Sequence, residues 1–121
     1  MAPPTLTHER DDVYRVDITG VLHKADLDQA QAALARVIEE GGRSVRLLVV
    51  LEGFEGWAPQ DNWGDLRFYT TYGPAIARIA IVGDLGWRSA VLMFVAADLR
   101  EAPVEYFAAQ AIGLARAWLR E

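Results

Sequence analysis

At 121 residues and 52% hydrophobic content, the chain has the size of one domain and far too much apolar side chain to stay disordered. Its formal charge of −5 argues against general nucleic-acid binding, which gathers Lys and Arg on one face, and against a purely electrostatic hold on anionic membranes. With no cysteine, disulfides and thiolate metal sites are excluded, and no apolar run reaches the roughly 18 residues that a membrane-spanning helix needs.

Residues 1–20 lack the basic flank, apolar centre and small-residue cleavage site of a secretory signal, so a cytoplasmic location is the expectation, with peripheral membrane contact left open. No internal repeat or interior linker interrupts the chain, which reads as a single domain over residues 1–121. Residues 5–9 predict a short first strand and Arg10-Asp11-Asp12 a turn. Residues 13–18 alternate, with Tyr14, Val16 and Ile18 on one face and Val13, Arg15 and Asp17 on the other, which predicts an edge or half-buried strand ended by Gly20. Over residues 25–40, Leu27, Ala30, Leu34, Val37 and Ile38 fall at helical spacing; Asp26 and Asp28 suit the first turn, and Gly41-Gly42 is a stop signal.

Residues 45–51 form an apolar run of strand length, rich in branched side chains, as expected of a strand buried on both faces. It is followed by Gly53-Phe54-Glu55-Gly56-Trp57, expected as a loop in which two glycines free the backbone beside two large aromatics. Ligands of open α/β sheets gather outside the carboxyl ends of the strands, where this loop would lie. Over residues 58–77, Pro59 suits an early helical position, and Trp63, Leu66, Phe68, Tyr69 and Tyr72 predict an aromatic-rich helix closed by Gly73-Pro74. A strand over 79–82, a Gly83-Asp84-Leu85-Gly86 turn, a helix over 87–97, a strand over 104–107 and a helix over 108–120 complete the chain, the last with Ile112, Ala115, Trp118 and Leu119 inward. Alternating β and α with short connections predicts a mainly parallel sheet with an antiparallel edge from the first hairpin.

The order of these features resembles a family. A hairpin is followed by a helix opening near Ala25-Asp26, a buried strand ending in Phe54-Glu55-Gly56-Trp57, and a Trp, Asp and Phe helix. Then come Ala77-Arg78-Ile79-Ala80-Ile81-Val82-Gly83-Asp84, a Trp opening the next helix, Val104-Glu105-Tyr106-Phe107, and a terminal Ala117-Trp118-Leu119. The chain looks like the SpoIIAA-like proteins of the STAS/CRAL-TRIO-like fold over nearly its whole length. The resemblance implies an α/β domain with a four- or five-stranded mixed, mainly parallel sheet and helices packed largely on one face. It also implies a small bacterial protein for which lipid-like ligand binding and membrane association have been considered. Family members often carry a His near the end of the aromatic helix, where this chain has Tyr72. Anti-sigma-factor antagonists of this fold need a phosphorylatable hydroxyl after the third strand, but residues 52–63 hold neither Ser nor Thr, and the only serines are Ser44 and Ser89. A phosphorylation switch there has no hydroxyl to act on.

Phe54, Trp57, Trp63 and Trp87 fall at predicted strand ends and helix starts, where they would line an apolar pocket or dip into a membrane interface, or else cap the core or bury a dimer contact. Phe68, Tyr69 and Tyr72 would form a movable wall of the pocket, or core. Asp61, Asp65, Glu52 and Glu55 read as solvated loop charges or, for Asp61, a helix cap, rather than an acid–base pair. His8 and His23 are isolated surface histidines, and the Gly83–Gly86 turn lacks GxGxxG and the P-loop Lys. HExxH, GxSxG and CxxC are absent, so no catalytic residue, metal or cofactor is expected. These features together predict a non-enzymatic binding module for an apolar or lipid-like molecule, with reversible membrane association. Its site would lie among Phe54, Trp57, Trp63, Phe68, Tyr69, Tyr72 and Trp87, with residues 58–72 swinging on Gly56 and Gly73-Pro74. The alternative is a protein-interaction or homodimerisation module in bacterial regulation.

Overall fold

The apolar run at residues 45–51 becomes the middle of a five-stranded sheet, in a computed structural model that describes residues 3–121. The strands are β1 (Thr5–Arg10), β2 (Val13–Leu22), β3 (Val45–Trp57), β4 (Ile76–Gly83) and β5 (Val104–Ala108). They lie in the order β1-β2-β3-β4-β5, with β1 antiparallel to β2 and every other pair parallel. The helices are α1 (Lys24–Gly41), α2 (Arg67–Tyr72), α3 (Arg88–Phe94) and α4 (Ile112–Leu119), with short 3-10 turns at Gly73–Ala75, Leu85–Trp87 and Ala109–Ala111.

Period-two alternation in β3 builds two cores. Leu47 and Leu51 face one side of the sheet and join Leu34 and Ile38 of α1 and Val91 of α3, with Phe68 and Tyr72 of α2 against them. Leu48 and Val50 face the other side and meet Ala115 and Leu119 of α4. Three helices therefore cover one face and α4 alone the other. The α1 stop is as expected: Gly42 takes the left-handed conformation, φ 66°, and its N–H donates to the Ile38 carbonyl at 3.0 Å. No helix among the described residues is long and apolar enough to cross a membrane.

The structure corrects several boundaries. Gly20 does not end β2, and Gly53-Phe54-Glu55-Gly56-Trp57 is not a loop. The two strands stay paired to Leu22 and Trp57, with register shifts on both sides of Gly20. Gly20, Gly53 and Gly56 have φ of 66°, 62° and 102°, so they form bulges that bend the strands without ending the ladder. Gly56 is thus part of the sheet, paired with Val21, and the pivot expected there is lost. The helix expected from Trp63 starts only at Arg67. Before it, the Asn62 Oδ1 accepts from Gly64 N at 3.0 Å and the Asp65 Oδ1 from Arg67 N at 3.1 Å, local bonds that compete with helical ones. The helices expected over 87–97 and 108–120 are shortened to α3 and α4, by 3-10 turns at their starts and, for α3, by the turn over residues 95–99 at its end.

Candidate functional site

A cavity of about 230 Å³ lies between the sheet and the three helices on its covered face. Its floor is the inward row of the sheet, including Val16, Ile18, Leu47, Val49, Ile79 and Ile81. Leu27, Ala30 and Leu34 of α1 form one wall, Phe68 and Tyr69 of α2 a second, and Val91, Phe94 and Val95 in and after α3 a third. Of the helices on this side α2 and α3 have only 6 and 7 residues, and with residues 58–66 irregular they do not fill the space above the sheet beside α1. This explains why the gap opens here.

The bulged end of β3 turns Phe54 and Trp57 into this space. Phe54 packs edge-on against Trp57 at 5.2 Å between ring centroids and against Trp87 at 5.0 Å. Phe94 lies 4.9 Å from Trp57 and 5.5 Å from Trp63, tying α3 to the irregular segment. Trp63 is oriented by its indole N–H, which donates to the Ala58 carbonyl at 2.8 Å. Phe54, Trp57, Trp63, Phe68 and Tyr69 line the cavity. Trp87 stands behind the first two, and a Cβ on Gly56 would come within 3.2 Å of its ring, so a side chain at position 56 would displace it. Tyr72 points elsewhere: its hydroxyl donates to the Glu39 carboxylate of α1, which raises its pKa. Phe94 and Arg100 also line the cavity and were not singled out from the sequence, and Leu66, expected on the aromatic-rich helix but not in the site, lines it too. For Phe94 the signal was present, seven residues after Trp87 on one helical face; for Arg100 there was none.

Polar groups at the rim latch the irregular segment to α1. Asp61 Oδ2 accepts the backbone N–H of Lys24 at 2.9 Å, so this carboxylate caps a helix, but the one it caps is α1. It also lies 3.6 Å from His23 Nδ1. Asp65 accepts from Arg67 Nη2 at 2.7 Å and from Lys24 Nζ at 3.4 Å, while Lys24 also pairs with Asp28. The Arg67 hydrogen bonds hold the Asp65 carboxyl well below the usual carboxylate range, so it stays an ion-pair partner. Glu52 and Glu55 are exposed on β3 and take no part. His8 lies on β1, stacked on Tyr14 at 4.7 Å, and the described residues contain no group of three His, Asp or Glu placed to hold a metal ion. The Gly83–Gly86 segment is a turn closed by Asp84, whose Oδ1 accepts from Gly86 N at 2.7 Å.

The latch has a pH dependence of defined sign. A carboxyl whose folded pKa is depressed adds stability above its unfolded pKa, and that contribution fades as pH falls through the window between the two values. Amide exchange in residues 58–66, corrected for the intrinsic pH effect, should therefore speed up relative to β4 as pH falls below 3.8, the ordinary Asp value. Asp65→Asn should remove the difference.

An open sheet with a helical layer held off one face over an apolar cavity defines a small α/β module of the sheet-and-cover type. A family model described as SpoIIAA-like matches residues 13–120, and the chain belongs to that family. Among solved structures it is similar to an uncharacterized protein of the DUF3478 family with a SpoIIAA-like fold from Shewanella loihica PV-4. The TM-score is 0.73 and the identity 19%, over 96% of this chain and 91% of the other. That likeness shows the fold. No curated protein matches the chain.

Proposed function

We propose that this protein is a non-enzymatic binding module that takes the chain of an apolar or amphipathic small molecule into the space between its sheet and helical layer. The observation that carries this is the cavity itself, about 230 Å³ and walled by aliphatic and aromatic side chains from the sheet and three helices. At about 30 Å³ per small group, that is room for roughly eight methylene-sized groups. Each buried CH2 contributes about 0.8 kcal/mol, so a filled cavity gives about 6 kcal/mol, a Kd of about 40 µM before the cost of association weakens it to the millimolar range. The covering segments support exchange with a membrane: Leu66, Met93 and Leu99 are 63%, 81% and 78% exposed there.

The test is a titration with 1-octanol read by tryptophan fluorescence, since Trp57 and Trp63 border the space. Saturable one-to-one binding is expected in the wild type. Ala30→Phe, which puts a ring into the cavity from α1, should abolish binding while leaving the fold intact. Binding equally strong in that variant would overturn the proposal. The exposed Leu66, Met93 and Leu99 also favour a second reading, a protein-interaction or homodimer surface. It would show as a stable dimer in light scattering whose mass does not change with octanol.

A further inference from the structure

We infer that Arg100 is an anion anchor for this cavity, and that the ligand is a single-chain amphiphile whose carboxylate head meets the Arg100 guanidinium while its tail lies over the sheet. The inference rests on the cavity-binding proposal and adds the chemical class of the head group.

Arg100 lines the apolar cavity. Its Nη1 is buried and has no hydrogen-bond partner. The guanidinium is held in place on two other sides: Nε donates to the Val95 carbonyl at 2.6 Å, and the group lies over the Tyr69 ring with Cζ 4.7 Å from its centroid. None of the ion pairs among the described residues involves it. The other arginine with a buried unpartnered nitrogen, Arg46, differs in having both an ion pair to Asp12 at 3.4 Å and a bond to the Leu119 carbonyl. Lys24 also reaches the cavity, but Asp28 and Asp65 already neutralise it. Among the described residues, Arg100 is therefore the cation at the cavity left without a counter-charge.

The backbone places it there. After α3 the chain reverses at Ala96, a non-glycine residue with φ 56°, where Ala97 N donates to the Leu92 carbonyl at 3.1 Å and Arg100 N to the Ala96 carbonyl at 3.2 Å. Left-handed backbone at a residue with a Cβ is strained, and such strain often marks a functional site. Burial lowers the Arg100 pKa, as expected where no carboxylate supports the charge. A desolvated guanidinium is costly unless paired, and its planar fork matches a carboxylate.

The probes are sodium octanoate and 1-octanol, of equal chain length, titrated by tryptophan fluorescence at pH 7.5 into wild type and Arg100→Gln. Octanoate should bind at least tenfold more tightly than octanol to the wild type. In Arg100→Gln the ratio of the two affinities should fall to about one, and a preference kept at tenfold would overturn the anchor. Equal affinity of the two probes for the wild type would overturn the anchor and leave cavity binding standing; failure of both would remove cavity binding and the anchor with it. Should the variant not fold, as read by circular dichroism, the comparison of the two probes on the wild type decides alone.

Discussion

Leu48→Ala lowers the unfolding free energy by about 4 kcal/mol, whereas Leu47→Ala, one residue earlier in the same strand, lowers it by about 2 kcal/mol. The two leucines differ in the face they serve. Leu48 is 0% exposed and packs among Val13, Ala80, Val82 and the α4 residues Ala115 and Leu119. Truncating it removes transfer energy and leaves a hole in a close-packed layer that backbone on both sides prevents from collapsing. Leu47 borders the cavity, so on that side it has fewer partner atoms to lose. Urea denaturation of both variants, with m-values shown to be unchanged, makes the comparison. Equal losses would mean that the two faces are packed alike.

Gly83→Ala costs about 2 kcal/mol, and Tyr106→Phe partly reverses the loss. A Cβ at position 83 would lie 2.8 Å from the Tyr106 hydroxyl and 3.0 Å from Leu51 Cβ. The hydroxyl cannot simply move aside, because it ends a rigid ring and donates to the Asp84 carbonyl at 2.6 Å. Overpacking costs about 1–3 kcal/mol, a lost hydrogen bond about 1 kcal/mol, and the gain of Ala over Gly in a strand returns only about 0.5–1 kcal/mol. Tyr106→Phe alone should cost about 1 kcal/mol, but in the Gly83→Ala background it removes the colliding atom. The double-mutant cycle should show a favourable coupling of about 2 kcal/mol, which leaves the double variant about 1 kcal/mol below the wild type. Additive losses would show that the hydroxyl is not what excludes a side chain at position 83.

The sheet was legible because hydrophobic period is a direct record of facing. Alternation in residues 13–18 and the unbroken run at 45–51 gave β2 and β3, one half-buried and one buried on both faces, and Gly41-Gly42 gave the end of α1. The β3 extension was not legible, since the glycines that would end a strand in isolation instead form bulges once a partner strand bends with them. Residues 58–66 carry an aromatic spacing that fits a helix, yet Asn62 and Asp65 bind nearby backbone N–H groups and Asp61 binds across to α1. Local spacing cannot reveal such a long-range cap. The aromatics of the candidate site stood out by size and position, but Tyr72 turned to Glu39 and Trp87 to the second rank. Arg100 sits between elements with no neighbour in sequence that marks it, and its environment exists only after α2 and the chain beyond α3 come together.

Binding inside the cavity can be located directly by intermolecular NOEs between unlabelled 1-octanol and protein methyl groups labelled with 13C. Contacts from the octanol chain should reach Leu34, Leu47, Val49 and Ile81, which face the cavity, and should be absent at Leu48 and Val82 beneath α4. NOEs confined to exposed Met93 and Leu99, with none at Ile81, would place the alcohol on the outer surface and contradict a binding site between sheet and helices.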